Sequence, residues 1–256
     1  MAKQRAIAAP PPARAPANRL LEALARGARQ RFLEACESVE LQSGVVLHEP
    51  GADIEHVYFP TSSFVSLMVP VDVDSVLEVG LVGDEGMLGL PLLLGVDSSP
   101  LRALVQGAGH AWRIDAKAFV GELEHHPRLR RELLRYLQVC IGQLAQTAAC
   151  TRFHLVEQRL ARWLLMTQDR AHRDEFHVTH EFLAYMLGVR RVGVTKAATA
   201  LQRRELIHYH RGEVMVLDRS GMKRAACSCY QTDLDTYDGL LPTADRSERK
   251  KRPAMS

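Results

Sequence analysis

VTHEFLAYMLGVRRVGVTKAATAL, residues 178–201, decides how this chain is read. Two short segments with apolar residues at helical spacing flank Gly188. Thr179 is suited to cap the first, because its hydroxyl can accept from a free N–H of the first turn. Phe182, Leu183 and Met186 then share one face, and Gly188 permits the bend that follows. In the second segment Val194, Ala197, Ala198 and Leu201 form an inner face, which leaves Arg190, Arg191, Thr195 and Lys196 on the outer and leading part. This is a helix-turn-helix pattern. A narrow, Ala-rich helix with cations in its first turns has the shape and charge to enter the major groove of a DNA duplex.

The surrounding charge agrees. The whole chain carries a formal net charge of only +3 over 256 residues. Between Val178 and Gly212, however, six cations (Arg190, Arg191, Lys196, Arg203, Arg204 and Arg211) face two acids, Glu181 and Glu205, a local surplus of four. Arg203, Arg204, His208, His210 and Arg211 follow the second helix, where they read as phosphate contacts or as a solvated face.

At 46% apolar and 25% charged residues the composition is that of a globular protein of about two domains, with no apolar run long enough for a membrane span. The N-terminal MAKQRAIAAPPPARAPANR lacks the apolar core of a secretory signal and reads as a basic, disordered arm, so a cytoplasmic location is expected. Five cysteines, Cys36, Cys140, Cys150, Cys227 and Cys229, suit reduced thiols.

Leu20 to Val39 has the spacing of one or two short helices. From Val39 to Ile114 the texture is of many short strands broken by Gly, Pro, Asp and Ser, an antiparallel roll or sandwich, interrupted by GDEGMLGLPLLLGVDSSP at 83–100. Helical spacing returns at Lys117. Pro127 fits the first turn of a long helix whose apolar positions Leu129, Leu133, Leu137, Ile141, Leu144 and Ala148 repeat like a coiled-coil seam. Such a stripe packs either on its own sheet or against a second subunit. A further amphipathic helix, HLVEQRLARWLLMTQDR at 154–170, is ended by a charged turn around His172 to Glu175. Beyond the helix pair, Arg211 and Gly212 mark a hairpin turn, with Val214 and Val216 in the returning strand. DRSERKKRP at 245–253 reads as a solvated tail.

Three parts in order resemble the Crp/Fnr family of bacterial transcription regulators. Glu181 to Gly188, followed by Arg191, Val194, Leu201 and LIHYHRGEVMVLD, is similar to that family's winged helix. LHEPGADIEHVYFPTSSFVSL with GDEGMLGLPLLLG resembles its β-roll sensor, and HPRLRRELLRYLQVCIGQLAQ its dimerisation helix. The resemblance implies an α+β fold: an arm (1–18), a double-stranded β-helix (jelly-roll-like) sensor (19–122), a dimerisation helix (123–152), a winged helix-turn-helix (153–226) and a partly disordered tail (227–256). It implies double-stranded DNA and a second copy of the chain as partners, with Leu133, Leu137, Ile141 and Leu144 at the dimer interface and RNA polymerase as a further contact. No membrane partner is implied.

Residue by residue, Arg191 and Lys196 match the basic positions of the family's recognition helix, whereas Val192 stands where a Glu is usual. The DNA contacts expected are Arg190, Arg191, Thr195, Lys196, Arg203, Arg204 and Arg211. The effector pocket expected from the resemblance comprises Gly83, Asp84, Glu85, Gly86, Arg102 and Ala103. In cyclic-nucleotide-binding members a Glu and an Arg hold the ribose and the phosphate. Here Asp84 replaces the Glu, and Arg102 lies directly beside Ala103, so strand alternation turns Arg102 away from the pocket and Leu101 into it. The sensor is therefore expected either to serve an unidentified small molecule in place of a cyclic nucleotide or only to transmit packing changes to the dimerisation helix. No metal site is expected, because His208-x-His210 and Cys227-x-Cys229 lack a second pair at zinc spacing, and only Cys36 lies in the first hundred residues. P-loop, G-x-S-x-G and H-E-x-x-H motifs are missing, so no enzyme is expected. The alternative left open is a ligand sensor whose helical part acts through protein contacts.

Overall fold

The computed structural model describes residues 17–72 and 75–241. Most of the N-terminal arm and the charge run at 245–253 lie outside the described residues. Two short helices, α1 (Arg19–Glu22) and α2 (Arg26–Glu34), precede the sheets. Asn18 caps α1 by accepting from the Leu20 N–H, and its amide donates to the carbonyls of Pro60 (3.0 Å) and Gly86 (2.7 Å). That buried side chain fastens the start of the fold to the β-roll.

Seven antiparallel strands build the roll: β1 (Glu37–Leu41), β2 (Val46–His48), β3 (His56–Pro60), β4 (Phe64–Asp72), β5 (Ser75–Val82), β6 (Arg102–Gly107) and β7 (Gly109–Asp115). They form two sheets, ordered β1-β7-β3 and β2-β6-β4-β5. Alternation is plain in β6, where Ala103, Val105 and Gly107 are buried and Arg102, Leu104 and Gln106 are not fully so. The interruption at 83–100 is a loop carrying a 3-10 turn, Leu90–Leu94, bracketed by Gly89 and Gly95 at φ 98° and 73°. Gly89 is required twice over, because a Cβ there would stand 2.8 Å from the Val57 side chain.

Helix α3 (Ala116–His125), capped by Asp115, is separated by His126 from α4 (Pro127–Phe153). The long helix thus starts at Pro127, four residues after the boundary drawn from sequence. Its apolar stripe divides. Leu129 and Leu133 are fully buried with Phe32, Phe59 and Phe119 in the core of their own chain. Leu133 is therefore not available to a second subunit, which corrects its expected place at the interface. Further along, Leu134, Ile141 and Leu144 are 42%, 51% and 43% exposed.

The C-terminal part comprises α5 (Val156–Ala171), β8 (Glu175–His177), α6 (His180–Leu187), α7 (Arg191–Arg203), β9 (Ile207–His210), β10 (Glu213–Val216), α8 (Arg219–Ala225) and α9 (Cys229–Leu240). Strand β8 replaces the end of the expected charged turn and pairs with β10. Its residues are too few for an alternating pattern to register. The first part of the expected tail, from Cys227 to Leu241, is packed on the fold: Cys229, Tyr230, Asp233 and Tyr237 are buried, and α9 lies along α4. One apolar core joins the two halves, since Met68 of β4 packs with Leu164, Leu183, Val194 and Leu201, with Val76 and Leu104 at its edge. Each such aliphatic side chain contributes about 1.5–3 kcal/mol on full burial. No described helix is long and apolar enough to cross a membrane.

Candidate nucleic-acid interface and sensor cavity

The Thr179 hydroxyl accepts from the Phe182 N–H at 3.1 Å, and Gly188 ends α6 at φ 60° in the left-handed region. The chain then turns into α7, whose Val194, Ala197, Ala198 and Leu201 are buried. Opposite them Arg190, Arg191, Val192, Thr195, Lys196, Thr199 and Arg203 are exposed. Thr199 completes this face and was missed by sequence reading, although it stands one helical turn after Thr195. Its hydroxyl at present donates to the Thr195 carbonyl (2.8 Å). Val192 is 59% exposed beside Arg191, an apolar side chain on an otherwise polar surface.

His180 supports this face from below. Its ring stacks on Tyr209 with centroids 4.4 Å apart, and its Nδ1 lies 3.1 Å from the Thr195 hydroxyl. Burial, and then the Arg191 charge, lower the His180 pKa and so favour the neutral imidazole. The wing is a tight hairpin: Arg211 and Gly212 both have positive φ, 50° and 88°, as a type I′ turn requires. Arg211 is thereby held exposed at the tip. Arg204 differs from the other expected contacts, since its guanidinium bonds Glu157 of α5 at 2.8 Å.

The loop expected to hold an effector does something else. Arg170 of α5 and Glu85 form a buried ion pair at 2.6 Å, and the Tyr237 hydroxyl of α9 donates to the Glu85 carbonyl at 2.8 Å. Asp84 faces Arg19 (3.4 Å) and His172 (3.5 Å). Burial raises the Asp84 carboxyl above its ordinary value, while the Arg19 charge pulls it down. Gly83 and Gly86 are packed against Arg170 and the Tyr136 hydroxyl, with no space for a Cβ at either. The run Gly83 to Gly86 therefore ties the roll to α5 and α9, which corrects its expected place in a pocket.

A cavity of about 340 Å³ lies beside it, between the roll and α4. Leu67, Leu81, Met87, Leu101, Ile141 and Leu144 are among its walls, and among the described residues no Lys or Arg lines it. Of the expected pocket residues only Ala103 reaches it. Arg102 points elsewhere and bonds Glu49 at 2.8 Å. The expected interface residues Leu137, Ile141 and Leu144 also border the cavity, so one stretch of α4 serves both the cavity wall and the exposed stripe. Leu134, in step with Leu137 and Ile141, belongs to that stripe and was overlooked in the sequence because Leu133 beside it also fits the repeat.

Cys227-x-Cys229 does not stand alone: Cys150 and His154, one helical turn apart at the end of α4, meet it in space.

Residues 158–225 match the family model described as the Crp-like helix-turn-helix domain. A search of curated proteins finds no match. Among solved structures, a putative crp/fnr transcriptional regulator from Eubacterium rectale is 16% identical with a TM-score of 0.64, covering 80% of this chain and 96% of that one. The c-di-GMP responsive global regulator CLP of Xanthomonas campestris is 20% identical with a TM-score of 0.62, covering 75% and 99%. FixK2 from Bradyrhizobium japonicum is 12% identical with a TM-score of 0.64, covering 75% and 98%. The chain therefore carries a Crp-like helix-turn-helix domain within the fold of the Crp/Fnr family of transcriptional regulators.

Proposed function

We propose that this protein is a sequence-specific DNA-binding transcription regulator that grips a two-fold symmetric site as a homodimer. The observation that carries the reading is the outer face of α7, where Arg190, Arg191, Lys196 and Arg203 are exposed and bond no acid among the described residues. Exposed cations on a helix narrow enough for the major groove are held ready for base edges and phosphates. Val192, in place of a carboxylate, removes an acceptor for the cytosine amino group and offers a methyl contact to thymine.

Two recognition helices reading a mirrored site need a two-fold partner. The stripe Leu134, Leu137, Ile141 and Leu144 of α4 supplies the apolar surface for it. The cavity wall shared with that stripe is the route by which a ligand alters the dimer. Its walls suit an apolar small molecule. Among the described residues the cavity has no Lys or Arg to pair with a cyclic phosphate, only the imidazoles of His48 and His56, so cyclic AMP and cyclic GMP are expected to bind weakly there.

Binding of the full chain to pooled genomic fragments, at several salt concentrations, tests the reading. Recovery of a common palindromic sequence, with affinity falling steeply as salt rises, supports it. An absence of salt-dependent DNA binding returns the helical part to protein contacts. In sedimentation, Leu137→Asp should give monomers that have lost specific binding, and an unchanged mass would remove α4 from the interface.

A further inference from the structure

We propose that Cys150, His154, Cys227 and Cys229 form a structural metal site, a Cys3His centre for zinc, which clamps the junction between α4, α5 and α9. The four donor atoms all lie within 4.8 Å of one another. Cys150 Sγ and Cys227 Sγ are 3.5 Å apart, and Cys229 Sγ and His154 Nδ1 are 3.4 Å apart. A tetrahedral zinc with Zn–S of about 2.3 Å and Zn–N of about 2.0 Å sets its donors about 3.5–3.8 Å apart. Two of the pairs already stand close to that separation, and the others, all within 4.8 Å, need to close by about 1 Å at most. All three thiols are buried, so an ion bound between them is shielded from water and competing ligands.

The local structure brings the donors together. Cys150 and His154 are one helical turn apart, at the last turn and the C-cap of α4. Cys229 is the first residue of α9, and Cys227 stands just before it. Gln146 Nε2 donates to Cys229 Sγ at 2.9 Å, an outer-shell bond that orients the ligand. The guanidinium groups of Arg159 and Arg162 lie within electrostatic reach of Cys150 and Cys227. A zinc with three thiolates and a neutral imidazole carries one net negative charge, which these two cations offset.

Binding releases the three thiol protons to solvent as the metal takes three thiolates and one imidazole nitrogen, with no change of oxidation state. What the ion joins is decisive. Phe153 ends α4 and Val156 begins α5, so His154 sits in the short break between the long helix and the DNA-binding part. The two ligands around Ser228 bring in α9, which is also held by the Arg162–Asp233 pair at 2.6 Å. The metal fixes the angle at which the helix-turn-helix leaves α4.

The experiment measures metal in the full chain, purified with a thiol reductant and without a metal-affinity tag. About one zinc per chain is expected. Replacement by cobalt(II) should give the intense visible bands of a tetrahedral thiolate complex, with sulfur-to-metal charge transfer in the near ultraviolet. Cys227→Ser and His154→Gln should lose the metal or weaken its affinity at least tenfold, whereas Cys36→Ser and Cys140→Ser, outside the cluster, keep it. Chelation of the wild-type protein should lower its melting temperature. Should the ligand variants fail to fold, wild-type stoichiometry and the cobalt spectrum still decide. Wild-type protein without bound metal that also gives no tetrahedral spectrum on cobalt titration overturns the proposal. So does a Cys150–Cys227 disulfide in protein trapped directly from cells.

Discussion

Two groups of arginines, both embedded in apolar helical sequence, have opposite surroundings. On α5, Arg159, Arg162 and Arg170 are all less than a tenth exposed, and each meets an internal partner: the Leu187 carbonyl, Asp233 and Glu85. At the start of α7 and along it, Arg190, Arg191 and Arg203 project from the surface with no acid bonded to them among the described residues. A buried charge persists only while its partner is present, so the α5 group is committed to holding the β-roll, α5 and α9 together. An exposed cation is already solvated and keeps its charge for a polyanion that can exchange counterions with it. The difference teaches that a cation is assigned by its surroundings in the fold and not by the apolar residues beside it in sequence.

The largest expected effect breaks the buried side of this comparison. Arg170→Met leaves Glu85 buried without its partner and should cost about 3–5 kcal/mol in urea unfolding, while adding Glu85→Gln restores much of the loss. Additive losses in the double variant would show that the pair is not coupled.

A somewhat smaller effect comes from Glu78, whose carboxylate accepts from Ser66 (2.7 Å) and from Trp163 of α5 (2.8 Å), with Ser66 also bonded to Gln106 and with Arg162 and Arg170 nearby. Burial pushes Glu78 up to about 7 against those hydrogen bonds and charges. The folded state thus holds the proton more tightly than the unfolded chain does. Its contribution is complete below the ordinary carboxylate range and disappears as pH rises through about 7. Glu78→Gln keeps an acceptor and removes the titration. Relative to wild type it should gain about 3 kcal/mol between acid and mildly alkaline pH. An unchanged difference in unfolding free energy across that range would place the titration elsewhere.

On the exposed side, Arg191→Ala should leave folding stability nearly unchanged and lose about 1–3 kcal/mol of discrimination at one base pair per half-site. Equal loss on cognate and random DNA would reduce Arg191 to a phosphate contact.

How much of this was legible in the sequence follows from the range of the interactions. The helix-turn-helix, its Thr179 cap, its inner face and the Arg211-Gly212 turn rest on local chemistry, and local periodicity carries them. The roll of short strands was likewise visible from turn residues. What depended on contacts distant in sequence was not. Leu133 and Leu134 are neighbours that fit almost the same repeat, and only the packing of Phe32 and Phe119 settles which one turns inward. Gly83 to Gly86 keep the outline of a ligand loop, yet Arg170 and Tyr237, far along the chain, claim Glu85. The segment after residue 227 read as a tail because α9 has a weak apolar stripe, with Asp233 buried against Arg162 of α5. The Cys150-x-x-x-His154 spacing, one helical turn, was a usable signal for a ligand pair and would have given Cys227-x-Cys229 its partner.

The smallest effect separates Arg204 from its neighbours. Among the described residues Arg203 and Arg211 are exposed without a bonded acid, whereas Arg204 is held by Glu157 at 2.8 Å. A phosphate contact from Arg204 would first have to break that pair. The pair itself is half exposed and contributes at most about 1 kcal/mol, so breaking it is feasible but subtracts from any gain on the phosphate. Arg211→Ala should therefore flatten the dependence of log affinity on log salt by about one unit for each phosphate left without its cation, equally on all sequences. Arg204→Ala should change that slope by a smaller amount and shift unfolding by a few tenths of a kcal/mol. Equal slopes for the two variants would mean that Arg204 leaves Glu157 on DNA binding. Glu157→Gln decides the matter: by freeing Arg204 it should tighten binding to cognate and random DNA alike, and most at low salt, where an added cation counts for most.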